Sequence, residues 1–318
     1  MRMPCIPVLA LLLVATATAQ TYPSRPVRIV IPLSPGGTTD VPGRIIAQKL
    51  SETLGQQFYV ENRAGAGGTI GSDFVAKANA DGYTLLAIIP SFTFSPALYK
   101  NYPIDPIRDF APVSLLTRAP YLLVVNPSLP ARSAKDLIAM AKAQPDKLTF
   151  GAGNTGSGTH LVTLSFLSAA KIRATYVPYR SVGMAMLDLA GGRIDATLAN
   201  VLSASTYVRT GKLRVLGISS VERSKALPDV PTIAEQGVPG YEAVTFHGYA
   251  VPAATPAAIV NKLSAAYASV VKSPDIAGRL AADGGEAIGS TPQAFRKFIA
   301  AEIRVWTKLI KEEGVKIE

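Results

Sequence analysis

What most restricts this chain is a regular alternation of buried-strand and helix signals, separated by glycine turns. Val27–Pro32 is an apolar run of strand length, and Pro35-Gly36-Gly37 comes after it as a turn. Asp40 then stands where a helix N-cap is wanted. Behind it Val41, Ile45, Ile46, Leu50 and Leu54 recur at helical spacing, and Gly55 closes the segment. Phe58–Val60 reads as a short strand, Gly65-Ala66-Gly67-Gly68 as a turn, Ile70–Ala78 as a helix and Tyr83–Ile89 as the next strand. The cycle resumes at Tyr121–Val125, a strand. Ser133 and Asp136 have the spacing of a capping box for a helix reaching Ala143. Leu148–Ala152 is a strand ending in a second glycine turn, and a helix runs from Thr159 to Ala170. Ala174–Tyr179, Ile194–Leu198 and Leu213–Ser219 read as further strands. Helices are expected over Ala257–Lys272, Asp275–Asp283 and Pro292–Glu313. Such alternation predicts an α/β protein with mostly parallel sheets flanked by helices.

Two α/β halves are suggested on either side of about Pro120, with Val251–Pro256 as a return segment. The expected division is a first lobe of residues 20–120 plus 247–318 and a second of 121–246. A chain that crosses twice between lobes makes a hinge, with a ligand cleft at the strand C-termini.

The first residues define the compartment. Arg2, an apolar stretch over Ile6–Val14 and the small residues Ala17-Thr18-Ala19 form a secretory signal peptide over residues 1–19, cleaved near Ala19/Gln20. The apolar run falls short of the roughly 20 residues a spanning helix needs, so the mature chain is expected in the periplasm and not embedded in the membrane. The single cysteine, Cys5, leaves with the signal. That excludes disulfides, thiolate metal sites and cysteine nucleophiles in the mature chain. With only His160 and His247 as imidazoles, no metal site and no cofactor are expected. The formal net charge is +10, but Lys and Arg are scattered singly, without a basic run interleaved with aromatics. This suits a field that draws small anions better than a nucleic-acid interface.

Two motifs carry the chemistry. Ser34-Pro35-Gly36-Gly37-Thr38-Thr39-Asp40 joins a buried strand to a helix N-terminus. Backbone N–H groups there are open to a ligand, and the helix start supplies partial positive charge, which suits an anion. A plain strand-to-helix turn capped by Asp40 accounts for this segment equally well. Gly153-Asn154-Thr155-Gly156-Ser157-Gly158-Thr159-His160 repeats the design in the second half, so two glycine and hydroxyl turns are placed to clamp one small anion. His160 is expected to pack or hydrogen-bond within its own helix start. Enzymatic motifs fail. Gly65 and Gly67 fit a dinucleotide fingerprint, but its third glycine falls at Ile70. Ser157 lies between Thr155 and Thr159 rather than in a Gly-x-Ser-x-Gly elbow. No nucleophile, base and orienting partner assemble, so the chain is expected to bind rather than to catalyse.

Seven stretches carry a family resemblance: YPSRPVRIVIPLSPGGTTD, GQQFYVENRAGAGGTIG, ADGYTLL, IDPIRDFAPV, GKLRVLGISS, LPDVPTIAEQGVPGYEA and STPQAFRKFIAAEIRVW. Over essentially the whole mature chain they resemble the Bug-type substrate-binding proteins of tripartite tricarboxylate transporters. The resemblance implies a two-lobed periplasmic-binding-protein fold (a "Venus flytrap") that closes on a carboxylate and delivers it to membrane permease subunits. It also implies a monomer without enzymatic activity. The loops that hold one carboxylate in such proteins, partly through bridging waters, correspond to Ser34, Gly36, Gly37, Thr38 and Asp40, and to Asn154, Gly156, Ser157, Gly158 and Thr159. Ser91, Thr93, Ser181, Asn200 and His247 are further candidates for the cleft, and Phe92 is expected to add apolar surface at a strand end.

The chain departs from the family pattern where the ligand is read. Asn154 replaces a glycine, Ser157 a threonine, and Leu164 a position that is often acidic. Arg180-Ser181 stands for Lys-Gly, and Phe246-His247 for an aromatic pair. A histidine at 247 can pair with a second carboxylate or stack on a ring. The ligand expected is a carboxylate with an aromatic or extended apolar body and one or two carboxylate groups. The competing expectations are a sensory protein that signals to a receptor, and a periplasmic hydrolase using His160 or His247.

Overall fold

The computed structural model describes residues 22–36, 39–224, 226–282 and 284–316. The expected signal segment and the loop residues Gly37 and Thr38 therefore lie outside the described residues.

β1 (Val27–Ile31) opens the first half. Val27, Ile29 and Ile31 pack into one core cluster, and Val30 packs into another on the opposite face. A strand covered on both faces is largely apolar, which is why four of its five residues are Val or Ile; Arg28 alone is polar and pairs with Glu61. α1 (Asp40–Leu54), β2 (Phe58–Asn62), α2 (Thr69–Ala76), β3 (Thr84–Ile88), α3 (Ser91–Leu98) and the long β4 (Phe110–Val125) come next. β2 and β3 flank β1 in parallel. The second half repeats the plan. α4 (Ala134–Ala143), β5 (Thr149–Ala152), α5 (Gly158–Ala170), β6 (Thr175–Pro178), α6 (Val182–Ala190), β7 (Ala196–Asn200) and α7 (Val201–Arg209) place β6 and β7 parallel to β5. The chain then runs through β8 (Arg214–Ile218), β9 (Val244–Pro252), α8 (Ala257–Val271), α9 (Pro274–Ala282), β10 (Glu286–Ala287) and α10 (Pro292–Glu312).

The expected α/β alternation is present, but the two parallel triads are joined by antiparallel strands. The strand order is β2-β1-β3-β9-β4-β7-β5-β6, with β8 and β10 also on β4. β4 is shared. Phe110–Pro120 pairs with β9, and Tyr121–Val125 pairs with β7. The expected strand Tyr121–Val125 is thus only the far end of a 16-residue strand. Likewise the return segment at Val251 begins earlier, inside β9.

Register fixes where the two halves face each other. The C-terminal residue of β3, Ile88, lies opposite Gly248, which lies opposite Leu115 of β4. The C-terminal residue of β7, Asn200, lies opposite Tyr121 of β4. Both triads therefore aim their C-terminal edges at the short stretch between Leu115 and Tyr121. In α/β sheets this is the edge where ligands bind.

α3 is an element not foreseen, because SFTFSPAL has a proline inside and little helical periodicity. It forms by packing. Phe92 is buried and meets Phe110 edge-on at 5.2 Å, while Phe94 meets Trp306 of α10 at 6.2 Å. Phe92 is therefore core and adds no surface to the cleft, contrary to expectation. α10 lies along both halves. Phe295 and Ile299 enter the core around Phe110, and Trp306, Leu309 and Ile310 enter the core around Phe150 and Phe166.

Candidate functional site

The turn after β1 is built around Asp40. Its carboxylate accepts from the Gly36 N–H at 2.9 Å, Arg44 Nε at 3.0 Å and Asn62 Nδ2 at 2.9 Å. Burial alone would raise this carboxyl, but the three donors outweigh it and hold it below its ordinary value. Asp40 is the first residue of α1 and not its cap; Thr39 occupies the cap position. The Thr39 side chain caps nothing in its own helix, because Thr39 Oγ1 meets His247 Nε2 at 3.1 Å. Gly36 adopts φ +79°, a conformation that glycine takes without strain. Ser34 and Gly36 are exposed on the same turn.

The turn after β5 is held from within. Gly156, at φ +78°, donates its N–H to His160 Nδ1 at 3.0 Å. Accepting at Nδ1 leaves the proton of a neutral His160 on Nε2. The ring lies against Tyr176 with centroids 4.2 Å apart, and burial lowers the imidazole pKa. The local role expected of His160 is the one observed. Ser157 caps α5 by accepting from the His160 N–H at 3.3 Å, and Thr159 Oγ1 accepts from the Gly153 N–H at 2.9 Å. Among the described residues nothing accepts from the N–H groups of Gly158 and Thr159, the first two of α5. Asn154 is exposed at the rim of the turn.

The two turns approach neighbouring stretches of the paired strands β4 and β9. Thr117 pairs with His247 and Ala119 with Thr245, so these four side chains share one face of the β4–β9 ladder. Thr39 at the α1 start contacts His247. Tyr121 follows Ala119 on that same face of β4, and burial pushes its phenol up to about 12. The Tyr121 hydroxyl in turn lies 3.7 Å from where a side chain at Gly158 would begin. A cavity of about 80 Å³ opens here. Thr39, Thr117, Asn200, Thr245 and His247 contribute its polar groups, and Ile46, Leu116, Val201, Leu202 and Tyr249 are among its apolar walls.

Of the cleft candidates, Asn200 and His247 therefore line this cavity. Asn200 caps no N–H of α7 with its side chain, so its amide is free to face the cavity. Ser181 is exposed at the α6 N-terminus, also with a free hydroxyl. Ser91 sits beside Gly68, 3.4 Å from the position of an added Cβ there. Thr93 and Asp40 point elsewhere. Thr93 is fully buried and donates to the Pro90 carbonyl at 2.8 Å, and both Asp40 oxygens are already taken, Oδ2 by Gly36 and Arg44 and Oδ1 by Asn62 of β2. Thr117, Thr245 and Tyr249 escaped the sequence reading, because they lie on strand segments whose proline, glycine and histidine hide the period-2 signal.

His247 is partly buried, and desolvation drops its pKa to about 4. It is a neutral imidazole near pH 7. No group of three or more His, Cys, Asp or Glu residues able to hold a metal occurs among the described residues, and no described helix is long and apolar enough to cross a membrane.

Two parallel triads facing each other across a shared strand, with anion-seeking helix starts on both edges, define a two-lobed binding protein of the periplasmic type. The comparisons make the family plain. Residues 43–315 match the tripartite tricarboxylate transporter family receptor, and the chain belongs to that family. It is 38% identical to Protein BugT of Bordetella pertussis, covering 96% of this chain and 94% of that one. Among solved structures, Rpa4515 of R. palustris with adipate superposes with a TM-score of 0.80 at 37% identity, covering 93% of this chain and all (100%) of that one. MatC of Rhodopseudomonas palustris with bound malate gives 0.76 at 31% identity, covering 91% and 100%. The α/β periplasmic binding-protein fold is thereby established. The chain is a receptor of the transporter class and not an enzyme.

Proposed function

We propose that this protein is an exported receptor that captures a small organic carboxylate between two lobes and hands it to the permease subunits of a tripartite tricarboxylate transporter. It acts as a monomer, released from its signal peptide near Ala19/Gln20. Lobe 1 comprises residues 20–120 with 247–318, and lobe 2 comprises 121–246. The carboxylate sits between the turn around Gly36 and the α5 start at Gly158 and Thr159, with Ser91, Ser181 and Asn200 at its margins. Relatives described with adipate and malate support a carboxylate ligand.

The observation that carries this reading is the shared contact strip. The α1 start reaches His247 of β9 through Thr39, and the α5 start lies beside Tyr121 of β4, four residues on from Thr117, the ladder partner of His247. A carboxylate placed there accepts from open backbone N–H groups and lies at the positive ends of the helix dipoles. Asp40 takes no direct part. An ionised carboxylate only accepts hydrogen bonds, so it holds the loop and leaves the ligand to the N–H groups.

The test is calorimetric titration of the purified mature protein with a panel of carboxylates, together with mass spectrometry of the recovered ligand. Saturable one-to-one binding with ligand returned unchanged is expected. Chemical conversion of the ligand, or no response to any carboxylate, would contradict the proposal.

A further inference from the structure

The cavity beside the α1 start and the α7 start has a wall chemistry that would select the body of a ligand whose carboxylate is held at the clamp. It runs from Thr39 and His247 down to Ile46, Tyr249 and Leu116. Among the described residues no Lys or Arg lines it. Its polar groups are hydroxyls, one amide and one imidazole, and that imidazole is held neutral by burial. A negative charge entering this space would lose its water and meet no cation, only the partial charge of the α1 and α7 starts at its wall. An alkyl or aryl group would gain contact with the aliphatic wall and with Tyr249.

Resting on the clamp reading, we infer that this pocket receives an uncharged apolar body, so that the preferred ligand class is monocarboxylates bearing an alkyl or aryl group rather than dicarboxylates. His247 and Thr39 act as the specificity pair. Their mutual hydrogen bond turns a position able to pair with a second carboxylate into a neutral wall. The alternative place for a second charge is Arg180, exposed at the end of β6 and without an ion-pair partner among the described residues.

The test compares matched pairs of ligands by calorimetry on the full mature protein: hexanoate against adipate, and 4-methylbenzoate against terephthalate. The monoacid of each pair should bind at least tenfold more tightly. Leu202→Arg adds a cation at the pocket wall from a position that is 49% exposed, so the fold tolerates it. It should narrow or invert the preference. Equal affinities within each pair, or tighter diacids, would overturn the inference while leaving the clamp intact. If tighter diacid binding were lost in Arg180→Ala, the second carboxylate would be assigned to Arg180. If neither member of either pair bound, the clamp reading itself would fall, and this inference with it.

Discussion

At the residue scale, the two histidines do different work under one physical constraint. Both are desolvated, so both favour the neutral form. For His247 the folded value is about 4 against 6.5 for the free side chain. Between those limits the unfolded chain binds more protons than the folded one. Stability from this source is therefore complete above about pH 6.5 and is lost as pH falls toward 4, by roughly 3 kcal/mol in all. His247→Gln should flatten the pH dependence of urea unfolding in that window. His160 leaves a remainder of the same sign. An unchanged slope would show that His247 is solvated. The His160–Gly156 bond has its own test. His160→Phe keeps the ring against Tyr176 but strands a buried N–H, so it should cost about 1–3 kcal/mol, read as a lowered urea midpoint.

At the scale of elements, Ser219 ties the crossing strands together. Its hydroxyl accepts from the Tyr121 N–H at 2.8 Å and donates to the Ala243 carbonyl, and its backbone pairs with the same two residues. Tyr121 belongs to the outgoing strand and Ala243 to the return, so one fully buried side chain joins both segments. Ser219→Ala should destabilise by about 1–3 kcal/mol, since it leaves a buried donor and a buried acceptor without partners. A urea midpoint equal to that of the parent protein would remove Ser219 from this role.

Elements were legible in the sequence wherever the local signal and tertiary demand agreed. β1 and β5 are mostly apolar because both faces are covered, with Arg28 and Thr149 at their partly exposed positions, and Ser133 caps α4 by accepting from the Asp136 N–H at 3.0 Å as its spacing suggested. The first part of β4 was hidden because Pro112, Arg118 and Pro120 argue against a strand. Register shifts between Pro112 and Ser114 and between Leu115 and Thr117 accommodate Pro112, while Pro120 falls at the last residue pair with β9. β9 was hidden by His247 and Gly248. Gly248 is required because a Cβ there would meet the Phe295 ring at 2.4 Å. The glycine turns of the candidate site were readable from sequence. The cavity was not, since Thr117, Thr245 and Tyr249 reach it through a pairing register that no local pattern encodes.

At the scale of the whole molecule, α10 lies along both halves, so the two cores are not independent. Trp306 is buried against Phe94 in the core of the second half, although it lies near the chain's end. Trp306→Ala should cost about 3–5 kcal/mol, visible as a lowered thermal midpoint in circular dichroism. A loss below about 1 kcal/mol would mean that α10 docks only on the first half. The net charge of +10 acts at this scale as well, giving the molecule a field that favours anions.

The central claim, that the open helix start at Gly158 grips a carboxylate, is tested most directly by Gly158→Asp. An aspartate in the first turn favours the helix dipole, and a side chain there meets only the Tyr121 hydroxyl at 3.7 Å. The same charge would repel a bound carboxylate. Calorimetric titration with the tightest carboxylate of the panel should show at least a hundredfold loss of affinity with an equal or higher thermal midpoint. Affinity retained in a stably folded Gly158→Asp protein would contradict the account.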